Sequence, residues 1–114
     1  PSGKAIKTGH RLLPDTPETN PVREAYRLWG KGTAITEGRS SWDQVAVLFV
    51  ARPELFTVGD SGQVERLPDG KVIWNPLVDN PNHYLVKPKL PADEMAEIIE
   101  ELMARTPKTP ARSD

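Results

Sequence analysis

The stretch Glu37-Gly38-Arg39-Ser40-Ser41-Trp42-Asp43-Gln44-Val45-Ala46-Val47-Leu48-Phe49-Val50-Ala51 places an acid and an aromatic at the head of an apolar run. Serine accepts hydrogen bonds from the free N–H groups of a first helical turn, and Ser41 with Gln44 three residues on has capping-box spacing. The pattern predicts a helix from Trp42 to Ala51, with Trp42 and Asp43 in its first turn. A carboxylate there is favoured by the helix dipole. If the turn faces a cleft, the same carboxylate can instead bind a metal or a ligand hydroxyl; otherwise the start is an ordinary cap beside a packed tryptophan. After Gln44 the helix has no polar face, and a helix apolar all round has to be buried on every side. A chain of 114 residues can hardly wrap such a helix unaided. Either a missing N-terminal portion of a larger parent or a second subunit is expected to cover it.

Upstream, Asn20-Pro21 is a helix start: Asn20 can cap and Pro21 fits the first helical position. Val22, Ala25, Tyr26 and Trp29 then fall on one face, and Gly30 and Gly32 act as stops, so a helix is expected from Pro21 to Trp29 with its aromatics packed. Before it, Gly3 to Thr8 reads as a short helical turn ending at Gly9, and His10 to Thr19, polar and broken by proline, reads as a loop. The chain starts Pro1-Ser2-Gly3-Lys4 without a methionine and enters patterned sequence at once, which suggests a piece of something longer.

Downstream of Arg52-Pro53 the pattern becomes extended. Gln63 to Leu67 and Lys71 to Asn75 flank Pro68-Asp69-Gly70, a hairpin signal, and a third short strand is expected at His83 to Val86. In the last helix Met95, Ile98, Ile99, Leu102 and Met103 form an apolar stripe opposite Asp93, Glu94, Glu97, Glu100 and Glu101, which read as a solvated acidic face. The segment 106–114, with two prolines and no apolar anchor, is expected to be a disordered tail after a single unit over 1–105. The fold class is α/β: helices carrying most of the core, with a small β-hairpin.

Composition excludes several functions. Fifteen basic against sixteen acidic residues give a net charge of −1, which supplies no field for a phosphate backbone, so nucleic acid is not expected as a partner. Without cysteine there is no disulfide framework, zinc-thiolate site or cysteine nucleophile. No stretch approaches the roughly 20 apolar residues of a membrane span, no signal-peptide pattern opens the chain, and it reads as soluble. There is no Gly-rich phosphate loop. His10 and His83 lack partners at ligand spacing and read as surface residues. Ser40 and Ser41 lack the context of a hydrolase nucleophile. Calcium takes six to eight oxygen ligands, which Asp43 alone cannot supply.

The succession Gly3-Lys4-Ala5-Ile6-Lys7-Thr8-Gly9, then Asn20-Pro21-Val22 with Ala25-Tyr26, then Gly38-Arg39-Ser40-Ser41-Trp42-Asp43-Gln44 and an apolar helix resembles the C-terminal part of the inosine-uridine nucleoside hydrolase family. The likeness runs from Gly3 to about Met103 and would cover the last third of a family member. It implies an open α/β fold, hydrolysis of the N-glycosidic bond of ribonucleosides, and a calcium ion that holds the ribose hydroxyls and an attacking water. By resemblance, Asp43 matches the late aspartate of the calcium shell. Trp42 stands where the commoner pattern has a histidine that protonates the leaving base. A purine-preferring branch carries tryptophan there, stacked on the base, which implies a substrate-binding role for Trp42. The aspartate-rich opening motif and the Asn-containing motif that grips the ribose have no counterpart here. The resemblance therefore implies a fragment that is not catalytic alone, its catalytic residues unknown. A non-enzymatic α/β protein-interaction module, using the apolar helix and the hairpin, is the competing expectation, and a relative that kept only sugar or nucleoside binding would look the same.

Overall fold

The computed structural model describes residues 2–108, and the part of the expected tail from residue 109 onward lies outside them. The middle of the chain is organised by an apolar helix that is pinned at its start and bare on its outside. This helix, α4, spans Trp42–Ala51 as expected from sequence; β1 (Lys7–Thr8), α1 (Leu12–Asp15), α2 (Pro21–Leu28), α3 (Thr33–Glu37) and β2 (Arg39–Ser40) precede it. After it come β3 (Phe56–Arg66), β4 (Val72–Asn75), β5 (His83–Pro88) and α5 (Ala92–Ala104). The result is mixed α/β with two small antiparallel sheets, β1-β2 and β4-β3-β5. No helix among the described residues is long and apolar enough to cross a membrane.

α2 begins as its sequence requires. Asn20 Oδ1 accepts from the N–H groups of Val22 at 2.9 Å and Arg23 at 3.0 Å, relieving two unpaired donors of the first turn. On its outer face Arg27 donates twice to Glu24, at 2.6 and 2.7 Å, and this hydrogen bond draws the exposed Glu24 carboxyl below its ordinary value. The helix stops one residue before Trp29, where Gly30, Lys31 and Gly32 all adopt positive φ (61°, 57° and 91°) and turn the chain back into α3. Gly38, φ 79°, then delivers the chain into β2.

The expected helical turn over Gly3 to Thr8 is a correction. An Ile6 N–H to Gly3 carbonyl turn exists, but Lys7 and Thr8 are extended and pair with Ser40 and Arg39. Nor is His10 to Thr19 wholly loop: α1 forms there because Leu12 is an apolar anchor, only 1% exposed.

The core joins Ile6, Val45, Leu48, Phe56, Met95, Ala96 and Ile99, with Phe49 set edge-on to Phe56 at 5.5 Å and 86°. α5 buries Met95 and Ile99 of its expected stripe together with Ala96, while Leu102 of that stripe is 38% exposed; Glu100, expected on the solvated face, is 2% exposed. Its Oε1 accepts from the Gly9 N–H at 2.9 Å and lies 3.4 Å from His10 Nδ1, so a long-range backbone donor draws it inward. α4 also departs from expectation. Val45 and Leu48 are buried, whereas Val47 and Val50 are 69% and 82% exposed, because among the described residues the core packs on only one side of the helix.

The expected hairpin forms. Gln63 to Arg66 face Asn75 to Val72 across a turn closed by Leu67 N–H to Lys71 carbonyl at 2.8 Å, with Gly70 at φ 88°. Trp74 lies so close over Gly62 that a Cβ there would sit 2.5 Å from the indole. β5 pairs with the other end of β3, with an irregularity between Val58 and Ser61. The radius of gyration is 17.5 Å, against about 13 Å for a compact domain of 100 residues. That excess fits a sheet packed on little beyond its own strands.

Candidate functional site

A cleft of about 180 Å³ opens between α2 and the first turn of α4, and Tyr26, Trp29, Arg39, Trp42, Asp43 and Gln44 are among its lining residues. Each is placed by a local rule. Tyr26 lies on α2, and Trp29, three residues on, caps its C-terminal end where the chain turns back. Arg39 arrives from the strand that Gly38 introduces. Trp42 and Asp43 are the first two residues of α4.

A hydrogen-bonded chain fixes the floor. Gln44 Nε2 donates to the Tyr26 hydroxyl at 2.9 Å, that hydroxyl lies 3.3 Å from Thr8 Oγ1, and Thr8 Oγ1 lies 2.7 Å from Ser41 Oγ. Thr8 and Ser41 are fully buried, so these hydroxyls satisfy one another away from water. This overturns the capping box: Ser41 makes no side-chain cap, and Gln44 reaches across to α2 instead of back to the helix start. Thr8 outcompetes the helix start because it offers the Ser41 hydroxyl a buried partner at 2.7 Å.

On the wall, the Arg39 guanidinium lies over the Trp29 ring, 3.7 Å from its centroid. Trp29, expected to pack in a core or at an interface, is 55% exposed and carries this cation against its ring. Trp42 is 46% exposed and edges the cleft. Asp43 is exposed and its carboxylate takes no hydrogen bond or ion pair among the described residues, so it stands free at the helix N-terminus, where the dipole favours it. The two residues singled out from sequence thus share one cleft. Sequence reasoning missed Arg39 and Tyr26 as cleft residues; the signal was the Gly30 to Gly32 reversal, which brings β2 back alongside α2.

The histidines are elsewhere. His10 is exposed beside Glu100, and His83 accepts from the Val64 N–H at 2.9 Å on the sheet. Neither lines the cleft.

The described residues do not by themselves fit a calcium ion. No three of His, Asp and Glu gather into a metal-binding group among them, and Asp43 is the single carboxylate among the residues lining the cleft, which also holds Arg39. One monodentate or bidentate carboxylate falls far short of six to eight oxygens. Comparison with protein-family models, with curated proteins and with solved structures gives no match.

Proposed function

We propose that this chain is the C-terminal part of a nucleoside hydrolase-like protein and forms the base-binding side of its site. One observation carries this reading: Trp42 and Asp43 stand side by side on the first turn of α4, half-exposed and exposed, at the edge of one cleft. A buried Trp42 and an Asp43 bonded to its own helix would have favoured a purely structural start. In the proposed site a flat nucleobase stacks on the Trp42 indole, a contact that is favourable for any base and contributes no proton. The Tyr26 hydroxyl, held by Gln44 and Thr8, keeps the floor rigid. Asp43 would supply one ligand to a calcium ion whose remaining ligands lie outside this chain; such an ion would supply Lewis-acid activation of water. The bare side of α4 supports the same reading, since Val47 and Val50 form an apolar face suited to packing by a preceding portion of the fold.

In the complete protein, Asp43→Ala is expected to abolish calcium-dependent release of hypoxanthine from inosine. Unchanged release would overturn the assignment. A second reading, a protein-interaction module, draws on the same bare helix together with a groove between Phe49 and Val50 of α4 and Tyr84 and Leu85 of β5. It leaves the free Asp43 carboxylate and the Arg39-Trp29 stack without a role.

A further inference from the structure

We propose that residues 83–85 of β5 form a pH-sensitive strap, fastened to β3 by neutral His83 and released when that histidine is protonated; the inference stands apart from the nucleobase reading above. The fastening is one side-chain bond of fixed polarity. The Val64 N–H lies 2.9 Å from His83 Nδ1. A backbone N–H can only donate, so Nδ1 carries a lone pair and the proton of the neutral ring sits on Nε2. Protonation puts an N–H where the lone pair was, and donor then faces donor. The bond exists in one charge state of the ring and not in the other.

Its position makes the bond matter. The β3–β5 ladder pairs Phe56, Thr57 and Val58 with Pro88, Lys87 and Val86, is interrupted between Val58 and Ser61, and resumes with Ser61 opposite Tyr84 and Gly62 opposite His83. There the strand pairing ends, and the imidazole supplies Val64 with the acceptor that a longer β5 would have offered from its backbone. Side-chain packing adds little at this end, since Tyr84 is 59% and Leu85 40% exposed. Segments with few buried contacts open locally at small cost. Tyr84 and Leu85 also wall a groove of about 560 Å³ with Trp42, Phe49 and Val50 of α4, so release of the strap changes the apolar surface beside the first turn of that helix. The charged residues of the segments around His83 are Asp60, Glu65 and Arg66 on β3, Asp79 in the preceding loop and Lys87 on β5; β4 has none. None of them forms an ion pair with His83 among the described residues. Carboxylates, phenols, ammonium and guanidinium groups ordinarily change charge outside about pH 5 to 8, and histidine within it. The contribution of the bond is therefore present at pH 8 and is lost as the pH falls through the titration of the ring.

The test follows the His83 ring and the amides of Val64, Tyr84 and Leu85 by NMR in the isotope-labelled chain as the pH is lowered from about 8 to about 5.5, a window that spans the ordinary histidine titration. His83→Phe and His10→Gln serve as variants, with circular dichroism confirming that each is folded. At the upper pH the ring nitrogens are expected to report the Nε2–H tautomer. The Val64 amide resonance should then move with the same midpoint as the ring, and those of Tyr84 and Leu85 with it. Protection of the Val64 amide against exchange, corrected for the intrinsic rate, should fall about two- to twelvefold, the equivalent of one net hydrogen bond. His10→Gln should leave this response intact, and His83→Phe should abolish it. An Nδ1–H tautomer at the upper pH, or a Val64 amide indifferent to the His83 titration, would overturn the proposal, and both are read in the unmodified chain. A response confined to Val64 would overturn the strap, and a response that survives in His83→Phe would overturn the assignment to His83.

Discussion

The helical half of the molecule and its three-stranded sheet are built from similar apolar residues and use them differently. Ile6, Leu12, Ile35, Val45, Leu48, Met95 and Ile99 of the helices and their leading segments are buried, whereas Val58, Val64, Val72, Ile73, Tyr84 and Leu85 of the sheet are 40% or more exposed. Phe56, at the very start of β3, is the sheet's buried apolar side chain among the described residues. A helix with one apolar stripe finds a partner within a short chain. A sheet has two faces, and among the described residues only the Phe56 end, with Val86 of β5 beside it, is packed on the core. The sheet is therefore held mainly by its backbone ladder and close local contacts such as Trp74 over Gly62, while side-chain packing and buried hydroxyls hold the helices. The candidate site belongs to the second kind of region, where a geometry can be kept to fractions of an ångström.

The contrast predicts unequal responses to substitution. Met95 has no exposed surface at the centre of the core, so Met95→Ala should cost about 2–5 kcal/mol. Val64→Thr on the sheet should stay within about 0.5 kcal/mol. Urea unfolding of the two variants measures the difference, and comparable losses would mean that the sheet is packed after all.

A smaller effect should come from the buried carboxylate. Glu100→Ala removes the acceptor of the Gly9 N–H and leaves that donor buried and unpaired, for about 1–3 kcal/mol. Glu100→Gln keeps an acceptor oxygen and should lose less. If both variants unfold at the wild-type urea concentration, Glu100 is not what ties α5 to the β1 end of the chain.

The sequence was legible where a local rule sufficed. Asn20-Pro21 starts α2 through two side-chain bonds to its own first turn, Asp69-Gly70 reverses the hairpin, and the extent of α4 follows from its apolar run ahead of Pro53. It misled where a distant partner outbid a local one. Ser41 has capping spacing, but Thr8, 33 residues away, takes its hydroxyl. Glu100 sits in an acidic run, but the Gly9 N–H, 91 residues away, pulls it inside. β1 and β2 are two residues each and exist only by pairing with one another, so no periodicity could announce them. Of the candidate site, Trp42 and Asp43 were visible through their position at a helix start. Arg39 over Trp29 was not, because a stack across a reversal leaves no spacing signature.

The three tryptophans allow the central claim to be tested in one experiment, since Trp29 and Trp42 line the cleft and Trp74 covers Gly62 in the hairpin. Titrating inosine into the isotope-labelled chain while following the three indole N–H resonances reads both regions at once. Saturable shifts at Trp29 and Trp42 with Trp74 unmoved are the predicted result. Shifts confined to Trp74, or equal at all three, would contradict a nucleobase cleft between α2 and α4.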